Sequence, residues 1–140
     1  MNDYYKIDSR EIEGDETIFS LRLIPDYCVY KGHFPGNPIS PGVCNIQMIK
    51  ECTELLIGKT LFLAFIDKCK FLSVMSPQTN PLLKLRIHLT IATKTTHVKP
   101  PKLHEQLSKA SDIYNVHATL FDDTTTYIIL KGQLKTENYD

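Results

Sequence analysis

The sequence predicts an α+β fold in which a long antiparallel sheet wraps around one central helix. Three observations carry this. Residues 42–57 hold the chain's one long helical periodicity. Six stretches have strand character, two before that helix and four after it. The order β-β-helix-β-β-β-β leaves one helix to be covered by all the strands, and a sheet curved around it is the economical packing.

Residues 4–12 are the first expected strand, closed by a turn at Gly14-Asp15. In residues 16–24, Ile18, Ser20, Arg22 and Ile24 alternate with Phe19, Leu21 and Leu23, which predicts a strand with one face more buried than the other. Pro25 ends it, and residues 26–41 read as irregular, with Pro35, Gly36, Pro38 and Pro41 restricting the backbone. The helix is expected from about Gly42 to Ile57, with Gly58 as its C-terminal stop. Val43, Ile46, Ile49, Cys52, Leu56 and Ile57 recur at spacings of three and four, and Met48 and Leu55 widen the apolar surface. That breadth predicts a helix buried on most sides. Residues 61–75, 82–96, 112–121 and 126–136 then read as strands, the last two joined by a turn at Asp122-Asp123-Thr124. Pro100-Pro101 interrupts strand continuation, and Lys102–Lys109 has the pattern of a short helix. That connection reads either as a surface loop or as a lid over a pocket.

A chain of 140 residues suits one domain. Apolar residues make up 42%, which argues against disorder. Zero formal net charge argues against a general nucleic-acid binder and leaves room for a local basic patch. No apolar run is long enough to span a membrane, and the N-terminus lacks a signal-peptide pattern, so the expected location is cytoplasmic. Cys28, Cys44, Cys52 and Cys69 have neither CxxC nor zinc spacing and read as reduced, structural residues. No metal site, phosphate loop or dinucleotide fingerprint is visible.

The chemistry concentrates in residues 33–47. Histidine exchanges protons near neutral pH. His88, His97, His104 and His117 lack supporting context, whereas His33 precedes a segment with three prolines and two glycines within ten residues, a backbone stiff enough to preorganise a site. Gly42 opens the helix, so its amide and that of Val43 are donors at the positive end of the helix dipole. A base beside such donors suits proton removal next to a thioester carbonyl, with the amides stabilising the enolate. The same residues also fit a Pro-rich approach to a helix with a packed histidine, and the residues alone leave both readings open.

The run His33-Phe34-Pro35-Gly36-Asn37-Pro38-Ile39-Ser40-Pro41-Gly42-Val43 resembles the HFPGxPxxPGV motif of the β-hydroxyacyl-ACP dehydratases, the FabZ/FabA-like enzymes of the hotdog fold. Lys70-Phe71 with Ser76-Pro77 resembles the RF…PG segment that follows the helix in that family, and element order agrees over nearly the whole chain. The enlarged 97–109 connection and the weak match at Ser76-Pro77-Gln78 depart from the pattern. Residues Cys44 to Ile49 look like a divergent branch serving a specialised lipid or polyene pathway. The resemblance implies a homodimer joined edge to edge, with active sites at the interface and room for higher or mixed assembly. His33 would remove the α-proton of a 3-hydroxyacyl chain, the Gly42 amide would polarise the thioester carbonyl, and Phe34, Pro41 and Val43 would line the substrate site. The partner would be an acyl carrier protein or acyl-CoA. No cofactor is implied beyond the phosphopantetheine arm of the carrier.

In the family a carboxylate fourteen residues after the histidine, on the facing subunit's helix, helps the hydroxyl leave as water. Here that position is Gln47. Glutamine donates and accepts hydrogen bonds but is no useful proton donor. Three accounts follow. His33 returns the proton itself while Gln47 orients the hydroxyl or a water. Alternatively Glu51 substitutes; the family often has Gln at that next-turn position, so the two residue types look swapped, and Glu51, about 6 Å further along the axis, would need a water relay. In the third account, this subunit supplies His33 and pairs with a different chain that carries the acid. Gln47, Glu51 and Glu54 share one helical face, which also reads as a solvated or interface face with Lys50–Glu54 pairing.

Three functions are therefore carried forward. The first is a 3-hydroxyacyl-[acyl-carrier-protein] dehydratase, a lyase, with an apolar acyl tunnel and a basic patch for the acidic carrier; Lys68, Lys70, Lys94, Lys99 and Lys102 are its candidates. The second is a non-catalytic acyl-carrier-binding or partner subunit. The third is a hotdog thioesterase, with Asp67 or Glu51 activating water, against which the HFPG…PGV segment argues.

Overall fold

The computed structural model describes residues 4–27, 29–32, 38–93 and 112–136, with only the backbone described at 29, 31 and 93. The alternation noted in the sequence builds β1 (Tyr5–Glu13), β2 (Glu16–Leu23), β3 (Leu61–Phe71), β4 (Leu82–Thr93), β5 (Ile113–Phe121) and β6 (Thr126–Thr136). Between β2 and β3 lie a short α1 (Val29–Gly32) and the long α2 (Gly42–Ile57). The strands form one six-stranded antiparallel sheet in the order β1-β2-β4-β5-β6-β3. The chain leaves near one edge after β2 and rejoins at the far edge in β3, so α2 makes the crossing. This is the sheet-around-one-helix architecture expected from element order.

Burial follows the pleat. Phe19, Leu21 and Leu23 of β2, Leu83, Leu85 and Ile87 of β4, Val116, Ala118 and Leu120 of β5, and Ile128, Leu130 and Leu134 of β6 form one core with Met48, Ile49 and Cys52 of α2. Residues alternate between the two faces of a strand, so His88, His117 and Lys131 lie on the outer face. There His117 pairs across strands with both His88 and Lys131.

Four expectations need correction or limits. The third strand stops at Phe71 rather than 75. The Leu72 amide still reaches the Tyr127 carbonyl (2.8 Å), but the chain then turns away and the Met75 carbonyl accepts the Ser40 amide (2.8 Å), tying this loop to the approach to α2. Residues 29–32 form a helical turn inside the segment expected to be irregular. Helix α2 has the expected limits, with Gly58 left-handed at φ 77° and its amide on the Glu54 carbonyl. It is not buried on most sides, however: Val43 is 76% and Leu55 55% exposed, while the polar Asn45 and Thr53 are buried. The buried face runs through Asn45, Met48, Ile49, Cys52 and Thr53, because Asn45 has a tyrosine partner and Thr53 donates to the Ile49 carbonyl. The 97–109 connection, with Pro100-Pro101 and the expected helix at Lys102–Lys109, lies outside the described residues.

Strand β3 carries two register shifts, between Leu63 and Phe65 and between Ile66 and Lys68. Gly132 of β6 sits opposite the second, where a Cβ would lie 2.3 Å from the Phe65 carbonyl oxygen. Backbone cannot yield there without moving the strand. Gly132→Ala is therefore expected to destabilise the fold by about 1–3 kcal/mol, the usual cost of overpacking. Denaturant unfolding checks this, and an unchanged midpoint would show that β3 does not press on β6 at this point.

Candidate active site at the start of the long helix

Pro41 is the N-cap of α2 and offers no side-chain cap. Its carbonyl accepts the amides of Cys44 (3.1 Å) and Asn45 (3.2 Å). The amides of Gly42 and Val43 precede these and belong to the donors that a helix cannot satisfy itself. They lie at the positive end of the helix dipole. The Phe71 ring, from the last residue of β3, packs directly on Gly42: a Cβ there would lie 2.7 Å from the ring. Glycine thus permits the close approach of helix start and strand end. The fold brings the two family-like segments together here, with Gly42 against Phe71 and Ser40 bonded to Met75.

A buried aromatic and polar cluster holds this helix start in place. Tyr4 donates to Asn45 Oδ1, and its ring lies 6.0 Å from that of Tyr30 and 5.5 Å from that of Tyr27. The hydroxyls of Tyr30 and Ser40 are 3.0 Å apart. Tyr4, Tyr30, Ser40 and Asn45 are all buried. Burial pushes the phenols of Tyr4 and Tyr30 up, so both stay neutral at physiological pH.

Six residues beyond Asn45, Tyr5 of β1 donates to Glu51 Oε1 (2.8 Å), and Gln47 Nε2 donates to Glu51 Oε2 (3.0 Å). Burial works to raise the Glu51 carboxyl, but the hydrogen bonds from Gln47 and Tyr5, with the Lys50 charge nearby, hold it below the ordinary glutamate value. The carboxylate is the favoured form, which suits an acceptor and not a proton donor at neutral pH. In the account in which Glu51 substitutes for the acid it would act through a water; its carboxylate here accepts from the Tyr5 hydroxyl and the Gln47 amide. Glu54 is engaged elsewhere, pairing with Lys50 (3.3 Å) as one reading of that stripe expected, and also accepting the Leu61 amide (2.8 Å).

Of the expected site residues, Pro41, Gly42, Gln47 and Glu51 lie on α2 or at its cap, and Val43 is largely exposed at the helix start. His33 and Phe34 lie outside the described residues, as do Cys28, Lys94, His97, Lys99, Lys102 and His104. Lys68 and Lys70 are exposed on β3. Asp67 and Glu51, the thioesterase candidates, line separate cavities: Asp67 the outer-face groove with His88, His117 and Lys131, Glu51 a cavity beside Tyr5. Cys44, Cys52 and Cys69 are free thiols, and burial raises all three, Cys52 to about 12. Among the described residues no group of three His, Cys, Asp or Glu side chains is placed to hold a metal, and no helix is long and apolar enough to cross a membrane. The sequence reading missed Tyr4, Tyr5 and Asn45. No signal in the sequence marked them: the 45-48-49-52-53 spacing of the buried face emerges only once the fold turns Asn45 and Thr53 inward.

Residues 9–102 match the family model of the ApeI-like dehydratases, described as ApeI dehydratase. The chain belongs to the ApeI-like dehydratase family. As a member it is 40% identical over 81 residues to the 3-hydroxyacyl-[acyl-carrier-protein] dehydratase FabZ of Lactobacillus helveticus, covering 53% of each chain. It is 36% identical over 87 residues to the enzyme of that name from Pediococcus pentosaceus, covering 56% of this chain and 57% of that one. This ApeI-like chain spans about half the length of the curated relatives it matches. A chain of the dehydratase heterocomplex ApeI:P from Xenorhabdus doucetiae superimposes with a TM-score of 0.61 at 21% identity, over 92% of this chain and 96% of that one, which shows the shared hotdog fold.

Because the Glu51 carboxyl is lowered in the folded state, its contribution to stability is fully present above the unfolded glutamate value of about 4.3 and fades as pH falls through the lower folded value. Glu51→Gln is expected to be less stable than wild type at pH 7, with the gap closing as pH drops below about 4. Thermal unfolding across that range checks it; a gap independent of pH would mean the charge is not what the two donors stabilise.

Proposed function

We propose that this chain is a 3-hydroxyacyl thioester hydro-lyase. It takes a 3-hydroxyacyl chain carried on the phosphopantetheine arm of an acyl carrier protein, or on CoA, and forms the trans-2-enoyl thioester and water. The observation that carries this reading is the start of α2. A glycine that the Phe71 ring keeps free of any side chain opens the helix with two available amides, immediately after the Pro-rich segment that contains His33.

The chemistry follows from these parts. The Gly42 amide holds the thioester carbonyl oxygen and stabilises the negative charge that develops there. His33 removes a proton from C2. The C2–H electron pair forms the C2=C3 bond as the C3–O bond breaks, and the departing hydroxide takes a proton to leave as water. Glu51 is engaged as a carboxylate acceptor and Gln47 has no acidic proton, so neither is suited to supply that proton. For the chain acting alone, this supports the account in which His33 returns the proton it took while Gln47 orients the hydroxyl.

The site is completed by a second copy of the chain. Among the described residues the outer edge of β3 has no strand beside it, and that strand and its continuation expose Phe62, Phe65, Ile66, Phe71 and Leu72. An unpaired edge this apolar is a pairing surface. Joining two β3 edges would continue the sheet and bring two α2 helices to one interface. The exposed Lys68 and Lys70 on the same strand would face an acidic carrier. The setting proposed is cytoplasmic lipid or polyene synthesis. The absence of an acid at residue 47 supports a second reading, in which this edge takes a different dehydratase-like chain. The fold likeness to a chain of a dehydratase heterocomplex agrees with it.

The test is turnover of the purified protein on a 3-hydroxyacyl thioester, with its mass measured in solution. Wild type is expected to be dimeric and to release the 2-enoyl thioester. His33→Ala should fall by about 10²–10⁴, the typical worth of a positioned general base. Phe65→Asp should give a monomer with little activity. A dimer without turnover, made active by Gln47→Glu or by a carboxylate-bearing partner chain, would establish the mixed-dimer reading instead.

A further inference from the structure

The hydrogen-bond chain Tyr5–Glu51–Gln47 has a forced polarity. A carboxylate only accepts, so the Gln47 atom 3.0 Å from Glu51 Oε2 must be its NH2 group, and the Tyr5 hydroxyl must donate to Oε1. A carboxamide that turns its nitrogen toward Glu51 turns its carbonyl oxygen away. The orientation of Gln47, normally free to flip by half a turn, is therefore selected by a partner one helical turn along. That partner is itself held by a tyrosine from another element. An i, i+4 pair on a helix surface is common and weak. Here the carboxylate is gripped from two elements, and Tyr5, Gln47 and Glu51 are all half-buried. Tyr5 and Glu51 also form part of the wall of a cavity of about 530 Å³ beside the helix.

We propose that Tyr5 and Glu51 are positioning residues that lock the Gln47 amide with its carbonyl oxygen outward, making residue 47 a hydrogen-bond acceptor for the 3-hydroxyl of the acyl chain. This rests on the dehydratase reading for its substrate class. An acceptor at this position grips a hydroxyl as donor, which turns a C3–O lone pair toward whichever group returns the proton. It also distinguishes a 3-hydroxyacyl chain from the saturated acyl chain, which has no donor to offer.

The experiment separates this proposal from the activity. In a His33→Ala background, in which turnover is expected to fall by about 10²–10⁴, the affinities of 3-hydroxyoctanoyl- and octanoyl-pantetheine are compared by calorimetry. The same pair is then measured with Tyr5→Phe, Glu51→Gln or Gln47→Leu added. The hydroxylated ligand is expected to bind up to about tenfold more tightly, as one hydrogen bond allows. That preference should fall toward unity in all three added variants, while octanoyl-pantetheine binding stays unchanged. A merely structural role for Tyr5 and Glu51 would weaken both ligands alike and leave the ratio intact. Tyr5→Phe keeps the ring and leaves the buried Tyr4–Asn45 bond to hold the helix, thermal unfolding checks that it is folded, and a preference that survives in it and in Glu51→Gln overturns the lock. Wild type that fails to turn over while the hydroxyl preference is present and lost as stated would remove the lyase reading and leave the proposal standing. Failure to bind either thioester would overturn both.

Discussion

The grip of two neighbouring tyrosines on one helix is the constraint on which the site depends. Tyr4 and Tyr5 stand at the start of the first strand, on the edge of the sheet opposite β3. Tyr4 reaches Asn45 and Tyr5 reaches Glu51, six residues apart on α2, or about 9 Å along its axis. Two attachments at that separation fix both the position of the helix and its rotation. The rotation decides which residues turn inward. Asn45 and Thr53 are buried and Val43 and Leu55 exposed, the reverse of what hydrophobicity alone would choose. Leaving Asn45 or Tyr4 without its partner inside the core would cost about 1–3 kcal/mol, comparable to burying one large aliphatic side chain.

With the helix held, the features at its start become interdependent. The loop after β3 bonds to Ser40, the Phe71 ring packs on Gly42, and Ser40 meets Tyr30. A bulkier residue at 42 would displace the Phe71 ring at the end of β3. The electrostatics change along the helix as well. Its first turn offers positive dipole and bare N–H groups, whereas its second and third turns offer a carboxylate kept charged by Tyr5 and Gln47. The two regions differ in kind: the first draws an oxygen that carries negative charge, and the second draws hydrogen-bond donors.

Much of this was legible in the sequence, and the limits of that legibility have physical causes. The helix limits are clear because Gly42 follows a Pro-rich run and Gly58 permits a left-handed stop. The strands of β2 and β4 are clear because a sheet with one buried face enforces a period of two. The burial side of α2 is not legible, because it is set by tyrosines roughly forty residues away whose hydroxyls select a polar partner. The end of β3 was overrun because apolar Leu72, Val74 and Met75 continue a strand-like pattern, although the chain there has left to hold Ser40. The Gln47 and Glu51 pairing was visible as helical spacing, but its direct contact and the third member, Tyr5, required the fold. The motif at residues 33–43 and the family it points to needed only the sequence.

The most direct measurement is a crystal structure of the protein with a non-hydrolysable amide analogue of a 3-hydroxyacyl pantetheine thioester. The expected result places the analogue's carbonyl oxygen about 3 Å from the Gly42 amide and its hydroxyl on the Gln47 carbonyl oxygen. An analogue bound away from the start of α2, or one whose hydroxyl sits on Glu51 with Gln47 turned aside, would contradict the account.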